Sequence, residues 1–110
     1  MIQAMILTID VGHPPRHPVQ VEKELFDAVQ KVRNSSTLRI VKVIHGKGKS
    51  TRTTVRNWAY RMGKSLRYAI NGESYDLFDK MTEKMRGECG QYEDIDLGSG
   101  NNGITVIWVK

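Results

Sequence analysis

The chain has 110 residues, of which 39% are hydrophobic and 26% are charged, and it carries a formal net charge of +5. This composition suits one modest hydrophobic core and excludes a disordered or disulfide-stapled chain, since Cys89 is the single cysteine. No apolar run approaches the ~20 residues of a membrane span, so we expect no membrane partner and a reducing, cytoplasmic location.

The apolar patterning predicts six main elements. In chain order they are a strand at Met5–Val11, a helix at Val19–Arg33, a strand at Leu38–Ile44, a helix at Thr51–Gly63, a strand at Leu66–Ile70 and a strand at Ile104–Val109. A third, short helix is expected where Phe78, Met81 and Met85 recur at helical spacing. The order β-α-β-α-β-(α)-β predicts an α/β fold, a two-layer α/β sandwich with a four-stranded mixed sheet that starts parallel. We expect residues 1–110 to form one domain with a longer insertion around 71–103.

Several side chains can be assigned to the core or to the surface from their position in these patterns. The second strand is apolar on both faces apart from Lys42, which is typical of a strand covered by helices. Trp58 and Trp108 lie on apolar stripes and are expected in the core. Tyr60 and Tyr68, each beside an arginine, are better candidates for stacking on nucleic-acid bases.

The stretch between the last two strands is the least regular part of the sequence. Glu88–Asn102 is rich in glycine and acidic residues, which predicts a mobile surface loop. Its acidic run Glu93–Asp96 has two interpretations. Clustered carboxylates suit a hard metal cation, whereas an acidic run is also usual in a solvated loop. We assign no metal ligand.

The charged residues are segregated along the chain. Nine Lys or Arg residues and no Asp or Glu lie between Arg39 and Arg67. Most acidic residues fall instead within 22–27 and 73–96. This segregation predicts one basic face suited to the phosphates of a nucleic acid. The alternative is that the basic residues simply coat one solvated helix.

The second strand runs directly into a basic, glycine-rich turn and then into a helix. The first N–H groups of a helix lack internal partners and carry partial positive charge, so this arrangement favours phosphate binding. Glycines at 46 and 48 let the backbone approach an anion closely and adopt positive φ. The predicted phosphate-binding residues are Gly46, Lys47, Gly48, Lys49, Arg52 and Arg56.

The end of this turn, Gly48-Lys49-Ser50, is similar to the end of a P-loop. A P-loop requires a further glycine five residues before Gly48, and that position is Val43. The sequence therefore disfavours nucleotide hydrolysis.

Three landmarks together resemble the Smr (small MutS-related) domain family. The first is His45-Gly46-Lys47-Gly48 at the end of the second strand, followed by Val55 and Trp58 in the next helix. Smr domains also open with a strand ending Leu-Asp-x-His-Gly, and 9–13 here reads Ile-Asp-Val-Gly-His. They close with a glycine-rich turn into a Thr-Val strand, as at 98–106. The landmarks occur in the same order and cover nearly the whole chain.

The resemblance implies a nuclease acting on DNA or RNA, with the Asp-x-His motif and the His-Gly motif at the active site. By position it assigns catalytic roles to Asp10, His13 and His45. His13 stands one residue later than the family's histidine, and such a shift along a strand turns a side chain to the opposite face. His13 therefore reaches the site only if the strand ends or bulges at Gly12.

The chemistry of these side chains agrees with that assignment. One imidazole can remove a proton while another donates one, and Asp10 can orient or charge-stabilise His13 or His45. Cleavage of RNA through its 2′-OH needs no cofactor, whereas attack by water on DNA makes Mg²⁺ the expected cofactor. We expect an endonuclease that nicks DNA or cleaves RNA, including structured or branched forms. The alternative is a non-catalytic nucleic-acid-binding module of the same fold.

Overall fold

The computed structural model describes residues 5–110, so the first four residues of the predicted domain lie outside the described part. Its sheet has four strands: β1 (Ile6–Asp10), β2 (Ile40–Ile44), β3 (Tyr68–Asn71) and β4 (Ile104–Trp108). The spatial order is β1-β2-β4-β3, with β1 parallel to β2 and β4 antiparallel to both of its neighbours. Three helices complete the fold: α1 (Pro18–Arg33), α2 (Lys49–Met62) and α3 (Lys80–Glu88). The predicted α/β fold with a four-stranded mixed sheet that starts parallel is confirmed.

Helices α1 and α2 cover one face of the sheet. Helix α1 begins at Pro18, whose fixed φ suits the first helical position, and His17 caps it by accepting a 3.1 Å hydrogen bond from the Val19 N–H. Its apolar residues recur every three or four positions and are buried: Val21, Leu25, Ala28, Val29 and Val32. They pack with the inner residues of α2, Trp58 among them, over alternate residues of β1 and β2. The predicted burial of Trp58 is confirmed.

Helix α3 and the segment after it cover the opposite face of the sheet. There Tyr75, Met85 and Tyr92 are buried against the sheet residues Ile40 and Trp108. Residues 89–102, which follow α3, have no regular secondary structure, as expected, but the prediction that this segment lies outside the core is wrong at Cys89 and Tyr92, which are buried. Its mobility stays a prediction. Burial of the Tyr92 ring stabilises the packing of this segment against the sheet.

The short third helix exists, but it begins later than expected. Met81 and Met85 face the second core, as their spacing predicted. Phe78 precedes the helix, because Asp79 caps α3 by accepting a hydrogen bond from the Thr82 N–H. The Phe78 side chain is 97% exposed. The expectation that Phe78 belongs to the helix is therefore wrong.

Lys42 and two carboxylates join the segment 88–102 to the sheet. The Lys42 Nζ lies 2.7 Å from Asp94 and 2.8 Å from Asp96, and the carboxylate of Asp94 also accepts a hydrogen bond from the Tyr75 hydroxyl. Burial alone would lower the pKa of Lys42, but the hydrogen bonds to the two carboxylates outweigh it and raise that pKa. Asp94 and Asp96 are thus paired with Lys42, while Glu93 at the start of the acidic run is exposed, and no group of three or more metal-ligating side chains occurs within residues 5–110.

The helices of the described residues include none that is both long enough and apolar enough to cross a membrane.

Candidate functional site

The turn between β2 and α2 is held by the segment that enters β4. The Gly103 carbonyl accepts hydrogen bonds from the N–H groups of His45 and Gly46, at 2.9 and 3.0 Å. Gly46 has a φ of +79°, a conformation that favours glycine. Gly48 has a φ of −66°, so the expected positive φ occurs at Gly46 and not at Gly48.

The beginning of α2 leaves a group of backbone donors without partners. Gly48 stands at the cap position, where no side chain can accept a hydrogen bond from the helix. Within residues 5–110, the N–H groups of residues 47–51 donate to no acceptor. Unpaired amides at the positive end of a helix dipole are an arrangement that favours anions. We call residues 46–52 the phosphate turn.

Three side chains add full positive charge to the phosphate turn. Lys47, Lys49 and Arg52 have no carboxylate within salt-bridge distance among the described residues. Arg52 makes a single long contact of 3.5 Å with the Lys47 carbonyl. The phosphate turn therefore carries three cations that can approach a ligand.

Arg56, which the sequence grouped with these cations, is occupied by internal partners. Its guanidinium donates twice to Glu73, once to the Ile104 carbonyl and once to the Thr105 hydroxyl. These contacts hold the beginning of β4 against α2. Lys42 is paired internally as well. The basic face therefore lacks both Arg56 and Lys42 and is smaller than the sequence indicates.

The opening motif turns back on itself at the end of β1. The strand ends at Asp10, whose Oδ1 accepts hydrogen bonds from the N–H groups of Gly12 and His13, at 2.9 and 3.0 Å. A Cβ at Gly12 would lie 2.5 Å from the His45 carbonyl oxygen, so only glycine fits there. The end of the strand thus brings His13 beside Asp10 despite the one-residue shift in the motif.

His13 and Asp10 form an exposed pair next to the phosphate turn. The His13 Nδ1 lies 3.0 Å from Asp10 Oδ2, and the histidine side chain is 66% exposed. Its Cε1 and Nε2 lie 3.6 and 3.8 Å from the position that a Cβ on Gly46 would take. Burial is the largest single influence on the pKa of Asp10 and raises it, but the hydrogen bonds from the Gly12 backbone and from His13, together with the His13 charge, outweigh burial and lower that pKa. An ionised Asp10 only accepts, so the Nδ1 of His13 donates a hydrogen bond to it, and Nε2 remains available as an acceptor beside the phosphate turn.

His45 lies beneath the same turn but is enclosed. It is 2% exposed, and its Nδ1 lies 2.8 Å from the Gly46 carbonyl oxygen. Since a carbonyl only accepts, Nδ1 carries the proton and Nε2 accepts from the Thr105 hydroxyl at 2.9 Å. Burial lowers the pKa of His45, and the neighbouring charge of Arg56 acts in the same direction. His45 is therefore a neutral ring with both nitrogens bonded inside the protein.

Thr105 is a residue of this site that the sequence did not single out. It is fully buried, and its hydroxyl accepts from Arg56 and donates to His45, so it connects α2 to the turn. In the sequence, Thr105 was indicated only by its position just after the glycine-rich turn that leads into β4. That landmark indicated a family likeness but not a hydrogen-bond relay.

The donor groups at the Asp10–His13 pair do not fit a dedicated Mg²⁺ site. Mg²⁺ prefers several oxygen ligands in octahedral geometry, and this pair supplies one carboxylate and one imidazole. Both oxygens of Asp10 already accept hydrogen bonds, Oδ1 from the N–H groups of Gly12 and His13 and Oδ2 from the His13 ring.

Comparison with solved structures finds the Smr domain of Thermus thermophilus MutS2. The two share 15% sequence identity, with a TM-score of 0.57, and the match covers 96% of this chain and 96% of that chain. The sequence matches no protein-family profile, and it matches no curated protein sequence. The resemblance predicted from the three landmarks is confirmed at the level of the fold, and the chain has an Smr-like fold.

Proposed function

We propose that this chain is a nucleic-acid-binding Smr-like domain that cleaves phosphodiester bonds as an endonuclease. The observation that carries the proposal is the position of His13. Its ring lies against Gly46, where the phosphate turn presents unpaired amides and three cations, while Asp10 holds its other nitrogen. A phosphate bound on the turn lies next to an acid–base group that is already oriented.

Binding is proposed to rest on the backbone of the phosphate turn and on its side chains. The N–H groups of residues 47–51 point to no internal acceptor, so a phosphate oxygen can accept from them without breaking an existing bond. Lys47, Lys49 and Arg52 supply the charge, and each neutralised phosphate releases counterions. These contacts recognise the nucleic-acid backbone and carry no sequence information.

Cleavage is proposed to use His13 as a general base. Its Nε2 accepts a proton from the attacking oxygen, which is the 2′-OH of RNA or a water molecule at DNA. The oxygen then bonds to phosphorus, the bond from phosphorus to the leaving oxygen breaks with its electron pair going to that oxygen, and the leaving oxygen takes a proton from solvent water. Asp10 stabilises the imidazolium that forms, and the amides and lysines of the turn stabilise the charge on the phosphate. The mechanism contains no metal step, and Mg²⁺ dependence on DNA is left as a variable of the assay.

His45 is proposed to act as a positioning residue. The sequence suggested a second catalytic imidazole, but a ring with both nitrogens bonded cannot exchange a proton with a substrate without breaking those bonds. Its bond to the Gly46 carbonyl instead fixes the turn against which His13 rests. Arg56 supports the same turn through Thr105.

The enclosure of His45 also favours the second candidate function, a non-catalytic binding module of the same fold. Among residues 5–110, His13 is the one imidazole that lies exposed at the phosphate turn. Under this alternative, the turn binds nucleic acid and no bond is broken.

The single buried cysteine agrees with a reducing compartment, and we propose a cytoplasmic location on that ground.

Binding and cleavage can be tested with the same set of variants. Wild type, Lys47→Ala and His13→Ala are incubated with supercoiled plasmid and structured RNA, with and without Mg²⁺. Lys84→Ala is the matched control, because it removes the same charge from an exposed position on α3. We expect Lys47→Ala to bind weakly and His13→Ala to bind normally but cleave about 10²–10⁴-fold more slowly. Binding without cleavage by wild type would select the binding module, and no binding would contradict both functions.

A further inference from the structure

A groove of about 630 Å³ lies between α2 and β3, beyond the phosphate turn. β3 is an edge strand, since it pairs only with β4 in the described sheet. The groove is lined by Tyr60 from α2 and by Tyr68 from β3, with Asn57 and Asn71 at the same place. Its aromatic and amide side chains are not used by the site described above.

The groove continues the phosphate turn along one side of α2. Arg52, Arg56 and Tyr60 are spaced four residues apart, so they follow one another along one face of the helix. At about 1.5 Å per residue, the distance from Gly48 to Tyr60 is about 18 Å. This length corresponds to about five nucleotides at the ~3.4 Å spacing of one stacked strand. A strand whose phosphate lies on the turn can therefore reach the groove.

The side chains of the groove suit unpaired bases. Tyr60 is 86% exposed, and Tyr68 is also exposed, so both rings are open to a partner. A tyrosine ring stacks on any base, and the amides of Asn57 and Asn71 can donate to or accept from a base edge. The Arg67 guanidinium lines the groove 4.0 Å from the centre of the Trp108 ring, and Glu88 accepts a 2.9 Å hydrogen bond from it, so its charge is paired inside the protein. Bases inside a duplex are stacked on both sides and cannot present a face to these rings.

We propose that the groove between α2 and β3 binds unpaired bases of the strand whose phosphate lies on the phosphate turn. The preferred substrate is then single-stranded or branched nucleic acid with an unpaired stretch of about five nucleotides. The inference rests on the proposed function, because it takes the turn as the phosphate site. It adds a second point of contact that distinguishes single strands from duplexes.

The test compares the affinity of wild type, Tyr60→Ala and Tyr60→Phe for labelled oligonucleotides by fluorescence anisotropy. The probes are an eight-nucleotide single strand, the same strand with one abasic position, and a duplex of the same sequence. Tyr60→Ala is expected to weaken single-strand binding by roughly 5- to 150-fold, the range for loss of one stacked base. Tyr60→Phe keeps the ring and should bind like wild type, and duplex affinity should not change in either variant.

The abasic probe separates stacking from a general loss of affinity. An abasic position facing Tyr60 should weaken binding to wild type but add little to the defect of Tyr60→Ala, because both changes remove the same contact. Equal single-strand affinity in wild type and Tyr60→Ala would overturn the groove proposal. If Lys47→Ala still lost affinity in that case, the proposed function would stand without the groove. If wild type bound none of the probes, both proposals would fail.

Discussion

Replacing His45 by alanine should reduce the stability of the fold and not only its activity. The ring makes two internal hydrogen bonds, to the Gly46 carbonyl and to the Thr105 hydroxyl. Each bond contributes about 1 kcal/mol net, and leaving the buried Thr105 hydroxyl without an acceptor costs about 1 kcal/mol more. With some loss of packing, we expect the free energy of unfolding to fall by about 2–4 kcal/mol. For a chain of this size that corresponds to a fall in Tm of about 8–16 °C.

The effect of His45 should also depend on pH. Burial lowers the pKa of His45 in the folded state, so the unfolded chain binds a proton first as the pH falls. The stability linked to this ring is therefore complete above the unfolded pKa of about 6.5 and is lost below it. One unit below that value, the loss is up to about 1.4 kcal/mol. The difference in stability between wild type and His45→Ala should consequently narrow between pH 7 and pH 5.5.

The assay is thermal and urea unfolding followed by circular dichroism at the two pH values. His13→Ala is the matched control, because it removes an exposed imidazole from the same site and should leave Tm nearly unchanged. A Tm of His45→Ala within about 2 °C of wild type at pH 7 would refute the assignment of His45 as an internal, positioning residue.

Three further variants test other parts of the structure. Lys42→Met should lower the free energy of unfolding by about 3–5 kcal/mol in urea titrations at pH 7, because it leaves buried carboxylates unpaired. The hydrogen bond from Lys42 lowers the pKa of Asp96, so the stability that this pair contributes is complete above the unfolded pKa of about 3.9 and is lost as the pH falls from there through the folded pKa. A difference in unfolding free energy between wild type and Lys42→Met that is as large at pH 2.5 as at pH 7 would contradict this. Lys47→Ala should reduce the slope of log affinity against log salt by about one, whereas Lys84→Ala should leave it unchanged. His17→Ala should cost about 0.5–2 kcal/mol by removing the α1 cap, with unaltered nucleic-acid affinity.

The order and type of the elements could be predicted because local pattern and tertiary packing agree there. The apolar stripe of α1 and the apolar strand β2 are buried as their spacing indicates. The burial of Cys89 and Tyr92 could not be predicted, because the composition around them is that of a loop and their burial depends on contacts distant in sequence. Nothing local to Asp94 and Asp96 indicates that Lys42, more than 50 residues earlier, is their partner.

The candidate site was predictable in outline and not in detail. The glycine turn after β2 and its lysines follow from local signals. The position of His13 could not be fixed from the sequence, since it depends on where β1 ends and on how Gly12 packs against the His45 backbone. The enclosure of His45 depends equally on a distant residue, Thr105 in β4. In each case the missing information is which parts of the chain meet in space.

The central claim is that a nucleic-acid phosphate binds on the phosphate turn beside His13. The most direct measurement is an NMR titration of the labelled protein with a short single-stranded oligonucleotide, following the backbone amides and the histidine ring nitrogens. We expect the amides of residues 47–51 and the Nε2 of His13 to shift most, while the ring nitrogens of His45 stay nearly fixed inside the protein. Shifts that spare residues 47–51 and His13 and fall on another surface would contradict the account.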